Sequence, residues 1–218
     1  MFKILLNFIR KKRFLKVTEY ISDESAVIFG SNVETITLDN SKIQINGKLL
    51  LGIPLTGILP GFSHKHNTVI TLGKNSKLII HGDVHIGPGC TIRIGENGIL
   101  ELGGKNVIAH DTTIIATKKI YIGKNSSVSW NCNLIDDDAH SFFRVDGRKI
   151  KRIRKSLIIG DNVGIQMNVV IPSGGVIGNN SIISANTVIR TDVPQDTLIY
   201  THNEYKRLAN FTTGFQFQ

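Results

Sequence analysis

The sequence has few of the residues that staple small folds together or cross membranes. Only two of its 218 residues are cysteine, which is too few for a framework of disulfide bonds. No apolar run is long enough to span a bilayer. A recognition helix and a pattern of stacking aromatic residues are also missing, which disfavours nucleic acid as a partner. We therefore expect a soluble, cytoplasmic, single-domain protein whose cysteines are reduced.

Acidic residues are missing from the first 18 positions, which contain six lysines and arginines. A second basic stretch, residues 144–155, contains seven lysines and arginines and one acid. The two stretches supply +12 of formal charge, so the rest of the chain, at −3, is slightly acidic although the whole carries +9. The basic character therefore belongs to two local patches and not to the whole surface.

Residues 1–20 mix apolar and basic side chains and have no cleavage site of a secretory signal. They predict a short basic helix within an N-terminal amphipathic segment, residues 1–24. Two functions stay open for it. Its apolar face closes one end of the fold, or it makes a peripheral contact with an anionic membrane, which would place the protein at the inner face of the membrane.

An aliphatic residue returns at every sixth position from Ile159 to Ile189. A period of six excludes an amphipathic helix, whose period is 3.6. It fits short strands joined by corners, three to a coil, in a triangular prism whose shaft is filled by the aliphatic side chains. Cys90 and Cys132 occupy the small corner position of earlier hexads, so we expect both to be buried.

The same period, with shifts of phase, reaches back to residue 70, and irregular coils precede it. Two segments interrupt the period. Residues 54–67 contain two prolines and two histidines, and residues 136–156 begin with three acids and include the second basic stretch. Both are predicted to be loops extruded from corners of a β-helix that covers residues 25–200 in seven or eight coils. Residues 201–218 form a C-terminal tail.

The combination of hexads and motifs resembles the hexapeptide-repeat acyltransferases, in particular the branch of sugar and capsular-polysaccharide O-acetyltransferases. The motifs are the loop with aspartates and a histidine, Ile159–Val163, Val176–Gly178 and Asp192–Pro194. The resemblance implies an all-β fold, a left-handed parallel β-helix, assembled as a homotrimer with active sites between subunits. It also implies acetyl-CoA as the donor, a sugar or polysaccharide as the acceptor, and no metal.

The resemblance also implies roles for individual residues. In the capsular-type branch the extruded loop reads Asp-x-Asp-x-His, which is Asp136, Asp138 and His140 here, and His140 corresponds to the catalytic histidine. The Gly-Ala-Gly corner of the family is Ser184-Ala185-Asn186 in this chain. The residues that we assign to acetyl-CoA are Gly164, Gln166, Ser184, Ala185, Arg190, Lys206 and Arg207.

Acetyl transfer from a thioester to a hydroxyl needs a base for the hydroxyl proton. Histidine suits this role because its pKa, about 6.5, lies near the working pH, and an adjacent carboxylate, Asp138 or Asp136, fixes its tautomer. We expect direct attack without a covalent intermediate, because both cysteines read as corner residues. Contacts to the oxyanion or the acceptor are expected from three residues just before the loop, Trp130, Asn131 and Asn133. The basic run 144–155 either attracts an anionic ligand or is simply solvated.

Three other functions stay open at this point. The first is N-acetyl transfer to an amino sugar nucleotide, since the same prism hosts N-acyltransferases. The second is a zinc-dependent hydratase, for which His81, His85 and His110 would be the ligands. The third is a β-helix scaffold without an active site.

Overall fold

The computed structural model describes residues 14–15, 18–21, 26–55, 67–137, 142–143, 149–150, 155–200 and 205–207. For the strands Thr18–Ile21, Phe142–Phe143, Lys149–Ile150 and Tyr205–Arg207 it describes the backbone only.

Three sheets form the three faces of a prism. Face A contains, in spatial order, β1 (Thr18–Ile21), β4 (Lys42–Ile45), β7 (Lys77–Ile80), β10 (Ile99–Leu102), β13 (Lys119–Ile122), β18 (Leu157–Ile159) and β21 (Gly175–Ile177). Face B contains β2 (Ala26–Phe29), β5 (Lys48–Leu51), β8 (Val84–Ile86), β11 (Asn106–Ile108), β14 (Ser127–Val128), β19 (Gly164–Ile165), β22 (Ile182–Ile183), β23 (Thr197–Ile199) and β24 (Tyr205–Arg207). Face C contains β3 (Val33–Thr37), β6 (Thr68–Leu72), β9 (Thr91–Ile94), β12 (Thr113–Ala116), β15 (Asn133–Ile135) and β20 (Val170–Ile171).

Successive strands of the chain visit faces A, B and C in turn, so each circuit of three strands is one coil. Neighbouring strands within a face are parallel except β23 and β24, which are antiparallel. The described residues make seven coils and the start of an eighth, within the predicted range. A separate antiparallel hairpin, β16 (Phe142–Phe143) and β17 (Lys149–Ile150), lies within the predicted loop 136–156.

The register of the strands explains the period of six. Leu78, Leu100, Ile120 and Leu157 are direct neighbours on consecutive strands of face A, and each is at most 1% exposed. Every coil therefore contributes a layer of aliphatic side chains to the shaft, where burial of apolar surface stabilises the stack. The prediction that Ile165, Ile171, Ile177 and Ile183 fill the shaft is confirmed, since none is more than 2% exposed.

The corners need a backbone conformation that most residues avoid. Twelve described residues other than glycine have a positive φ, and eleven of them are Asn or Asp, which tolerate the left-handed region. Their side chains also link the coils, as where Asn125 donates to Asn162, Asn162 to Asn180, and Asn180 to Asp196. The exception among the twelve is Lys105, whose φ is 52°.

The N-terminal end of the stack begins earlier than the sequence suggested. β1 starts at Thr18, inside the segment 1–24, and pairs with β4. Phe14 is helical and fully buried, and its ring meets that of Phe29 edge to face at 5.8 Å. This contact agrees with the end-closing function. Leu15 is helical too, whereas Thr18–Ile21 form a strand where the sequence predicted the end of the basic helix. Residues 1–13 lie outside the described residues. Within the described residues, no helix is long and apolar enough to cross a bilayer.

Candidate active site

Corners between faces B and C stack into one edge of the prism, which we name the B–C edge. The backbone N–H of the third residue of each corner donates to the carbonyl of the second residue in the preceding coil, as Asn131 does to His110. The second residues of successive corners therefore follow one another along this edge. They are Pro88, His110, Trp130, Met167 and Ala185.

His110 and Trp130 are the chemically distinctive pair on the B–C edge. Their rings are stacked, with centroids 5.4 Å apart and planes 7° from parallel. The Nδ1 atom of His110 lies 3.0 Å from Oδ2 of Asp111, and the imidazole is 19% exposed. A hydrogen on Nδ1 that is donated to this carboxylate fixes the tautomer in which Nε2 keeps its lone pair. Such a histidine can accept a proton, and Asp111 would stabilise the resulting imidazolium.

Asn131 and Asn133 have different surroundings from one another. Asn131 is a corner residue with a φ of 59°, and its amide nitrogen donates to Asn168 at 2.7 Å. That contact ties coils together, so the amide is already engaged in the structure of the edge. Asn133 lies on β15 of face C, beside Thr113 of the preceding coil, and is partly exposed next to the B–C edge. Of the two, Asn133 is the better placed to meet an acceptor.

Three of the seven residues assigned to acetyl-CoA lie in corners of the B–C edge, and Gly164 lies on face B. Gln166 and Ala185 lie on the B–C edge in the coils after Trp130, and Oε1 of Gln166 accepts a hydrogen bond from the backbone of Ala185 at 3.0 Å. Ser184 precedes Ala185 in the same corner, and its N–H donates to the carbonyl of Ile199. Gly164 begins β19 on face B, between Ser127 and Ile182.

The cationic residues assigned to acetyl-CoA are more scattered. Arg190 is exposed and follows Ile189, past the last contact of face C. Lys206 and Arg207 belong to β24, at the far margin of face B, and their side chains lie outside the described residues. Their assignment stays a prediction.

The predicted catalytic loop leaves the prism at a different edge, where face C turns into face A. Asp136 is 1% exposed, and its carboxylate accepts hydrogen bonds from the backbone and hydroxyl of Thr117 and from the backbone of Lys118. These donors occupy both oxygens, so the described contacts of Asp136 hold the root of the loop. Asp138 and His140 lie outside the described residues, and their catalytic roles stay predictions.

Both cysteines are buried corner residues, as predicted. Cys90 and Cys132 are 0% exposed, and their thiols contact the carbonyls of Ala109 and Gln166. Burial raises the pKa of Cys90 to about 12 and that of Cys132 to about 11. A thiol in this state is a poor nucleophile at neutral pH.

The three histidines of the zinc hypothesis have separate partners. His81 contacts Glu101 at 2.9 Å. His85, on β8 of face B, contacts the carbonyl of Ile53, while His110 lies on the B–C edge. Among the described residues, no group of three or more His, Cys, Asp and Glu side chains is arranged to hold a metal ion.

Comparison with known proteins finds a solved structure with a similar fold. No protein-family model matches it. The crystal structure of the polysialic acid O-acetyltransferase OatWY matches with a TM-score of 0.61 and 21% identity, covering 92% of each chain. This similarity of fold, together with the register of the strands described above, confirms the predicted left-handed parallel β-helix. The chain folds as a β-helix of six-residue repeats.

Two curated proteins extend the comparison of this hexapeptide-repeat protein. The bifunctional protein GlmU of Methanococcus maripaludis is 37% identical over 87 residues, which cover 38% of this chain and 21% of that protein. WbbJ of Escherichia coli K12, whose name assigns it to lipopolysaccharide biosynthesis as an O-acetyl transferase, is 27% identical over 103 residues. Those residues cover 43% of this chain and 53% of WbbJ. The hexapeptide-repeat protein thus matches only part of the length of either relative.

The contact between His110 and Trp130 is the feature of the site that the sequence alone did not predict. The two residues are 20 positions apart in the sequence, which points to His110 only as a zinc ligand. The hexads could have shown the pair, because His110 follows Ile108 by two positions and Trp130 follows Val128 by two, and these aliphatic residues are direct neighbours on face B.

Proposed function

We propose that this hexapeptide-repeat protein is an acetyltransferase that moves an acetyl group from acetyl-CoA to a hydroxyl of a sugar or surface polysaccharide. Support comes from the fold shared with OatWY, from the partial likeness to WbbJ, and from the histidine and carboxylate on the B–C edge. The working assembly in this proposal is a cytoplasmic homotrimer.

The observation that carries the proposal is the placement of His110 between Asp111 and Trp130. In the reaction, Nε2 takes the proton of the acceptor hydroxyl as its oxygen attacks the thioester carbonyl. The tetrahedral intermediate then expels the CoA thiolate, which receives the proton from the imidazolium. Asp111 stabilises the imidazolium during both steps, and Trp130 holds the plane of the ring.

His140 is the base that the sequence predicts, and His110 is the base that the described geometry favours. In one subunit the two edges lie on opposite margins of face C. β12 spans this face with four residues, which is about 13 Å. In a homotrimer, the loop of one subunit could reach the B–C edge of another, so that a base from one edge and a binding loop from the other would complete one site.

The test is acetyl-CoA turnover by the purified protein against sugars, sugar nucleotides and polysaccharides, with the acetylated position mapped by NMR. His110→Ala should lower kcat by about 10²–10⁴-fold with little change in KM for acetyl-CoA, the usual effect of losing a positioned base. His140→Ala tests the alternative base in the same way. A His110→Ala enzyme with native turnover would return the role to His140.

The same set of acceptors also tests the remaining functions. Amino sugar nucleotides are included because N-acetylation is the predicted alternative, and an amide product would establish it. If no acceptor supports release of CoA, the protein is better described as a β-helix scaffold without an active site.

A further inference from the structure

Corners between faces A and B stack into another edge of the prism, which we name the A–B edge. It holds an open cavity of about 290 Å³ that is lined by three successive corners. The lining residues are Lys105, Lys124, Asn125, Asp161 and Asn162. Among the described residues, none of the side chains that line the cavity is aromatic or aliphatic. The cavity therefore suits a small polar ligand and not an acyl chain or a nucleobase.

The backbone at Lys105 is the least expected feature of the cavity. In the four corners that follow along the A–B edge, the residue with a positive φ is Asn125, Asn162, Asn180 and Asp196 in turn. Lys105 takes this conformation with a φ of 52°. Asn and Asp tolerate the left-handed region better than Lys does, so a lysine at this corner costs stability. Backbone strain of this kind is concentrated at functional sites.

A buried amide holds the corner that carries Lys105. Asn106 is 0% exposed, and its side-chain oxygen accepts a hydrogen bond from the N–H of Gly104. Its side-chain nitrogen donates to the carbonyls of Gly123 and Ser126, which belong to the next corner. One buried side chain thus fixes the two corners from which Lys105 and Lys124 project.

Two ammonium groups and one carboxylate face the cavity. Within the described part of the chain, neither ammonium group, that of Lys105 or that of Lys124, has an ion-pair or hydrogen-bond partner. Oδ1 of Asp161 accepts from the backbone N–H of Lys124 at 2.7 Å, which leaves Oδ2 as an acceptor.

The A–B edge as a whole is not basic. Its described residues include three exposed lysines and three exposed aspartates, which are Lys48, Lys105, Lys124, Asp83, Asp161 and Asp196. The site therefore depends on where the two lysines and Asp161 are placed and not on an excess of charge along the edge.

A phosphate monoester of a sugar matches the groups that line the cavity. Lysine ammonium groups act as point charges, which suits a compact phosphate dianion, whereas a planar carboxylate is better bound by the fork of an arginine. Asp161 repels a phosphate but can accept a hydrogen bond from a sugar hydroxyl. A ligand with both groups uses both kinds of lining residue.

We propose that the cavity of the A–B edge binds a small sugar phosphate, with its phosphate between Lys105 and Lys124 and a hydroxyl donating to Asp161. Face B separates the cavity from His110, because β11 runs from one edge to the other over three residues, about 10 Å. A ligand held between the lysines is therefore separate from the reacting residues. The site stands on the cavity and does not rest on the proposed acetyl transfer.

Titration calorimetry with glucose 6-phosphate at low salt tests the site without requiring turnover. Lys105→Asn should weaken binding by about tenfold, because one of two charges on the phosphate is lost. Asn suits a positive φ, so this variant should be no less stable than the native protein, and thermal unfolding checks that the loss is not one of folding. Lys74→Asn removes an exposed lysine from a corner between faces C and A, and should bind within about twofold of the native protein.

Inorganic phosphate is the second probe. The native protein should bind it more weakly than glucose 6-phosphate, and Asp161→Asn should narrow this difference, because the acceptor for the sugar hydroxyl loses its charge and its repulsion of phosphate. No binding of glucose 6-phosphate by the native protein, or equal losses in Lys105→Asn and Lys74→Asn, would overturn the proposed site. Equal binding of the two probes by the native protein would overturn the assignment to a sugar.

Acetyl-CoA is the competitor, since its ribose also carries a phosphate monoester. Saturating acetyl-CoA should leave the affinity for glucose 6-phosphate unchanged if the cavity is separate from the donor. Displacement of glucose 6-phosphate would instead assign the two lysines to the donor and overturn the proposal of a separate ligand.

Discussion

At the scale of single residues, burial governs the chemistry of the two cysteines. With a pKa of about 11, Cys132 is a thiolate in only about one molecule in a thousand at pH 8. Cys90, with a pKa of about 12, is less ionised still. Both side chains serve as small apolar residues that fill corners of the shaft.

We expect iodoacetamide at pH 8 to leave both thiols unmodified in the folded protein and to modify both in urea, as read by mass spectrometry. The folded pKa values lie above the ordinary value of 9.0, so the thiols contribute stability that is present below pH 9 and is lost as pH rises toward 11. Cys132→Ala should therefore lose less stability than the native protein between pH 8 and about pH 10.5. Rapid alkylation of the folded protein would contradict this account.

The candidate base shows which residues a sequence reveals and which it hides. Asp136, Asp138 and His140 stand out because they are close together in the chain. His110 and Trp130 meet only through the register of β11 and β14, and that register depends on where each corner gains or loses a residue. A shift of two residues at one corner moves the alignment, so the period predicts the shaft more securely than the pairs on its surface.

At the scale of elements, the root of the loop 136–156 depends on one buried carboxylate. Asp136 satisfies the backbone N–H groups of Thr117 and Lys118 at 2.7 Å each. Asp136→Ala should lower the free energy of unfolding by about 2–4 kcal/mol, because two backbone N–H groups and the hydroxyl of Thr117 lose a buried, charged acceptor. Urea unfolding measures the change.

Asp161→Ala is the matched control, since Asp161 also accepts from a backbone N–H, that of Lys124, but is exposed. It should cost less than about 1 kcal/mol because water can replace the lost acceptor. Equal costs for the two variants would show that Asp136 has no special part in holding the loop.

The corner at Lys105 offers a stabilising change. Its φ of 52° is matched at the next corner by Asn125, which starts a run of side-chain hydrogen bonds through Asn162. Lys105→Asn should raise the free energy of unfolding by about 0.5–1 kcal/mol, because Asn tolerates the left-handed region better than Lys. Thermal unfolding measures the change. Lys105→Ala should bring no gain in stability, because Ala lacks the tolerance of Asn for the left-handed region.

The strands of the regular hexads follow closely from the sequence, but the point at which the stack begins does not. The hexads from Ile159 to Ile189 predict strands, corners and buried positions that the structure confirms. The start of the stack at Thr18 was missed because β1 precedes the regular hexads and pairs with β4 through an irregular register. The position of such an edge strand depends on the neighbouring strand that it covers and not on a pattern in its own sequence.

At the scale of the whole molecule, the prism places chemically different residues on different edges. The B–C edge carries His110 and Trp130, the edge between faces C and A carries the root of the loop 136–156, and face C lies between them. A repeat stack allows this division because each coil can vary its corners while the shaft stays the same. Insertions at the corners can therefore be accommodated without disturbing the core.

The proposed trimer gives the last prediction. If each site combines His110 of one subunit with the loop of another, then His110→Ala and a second variant with Asp138→Ala and His140→Ala should each be inactive alone. Trimers reassembled from an equal mixture should regain activity, at about a quarter of the native sites if subunits associate at random. Light scattering should show a trimer in every sample. Full activity of a native monomer, or no recovery on mixing, would mean that each site is built within a single subunit.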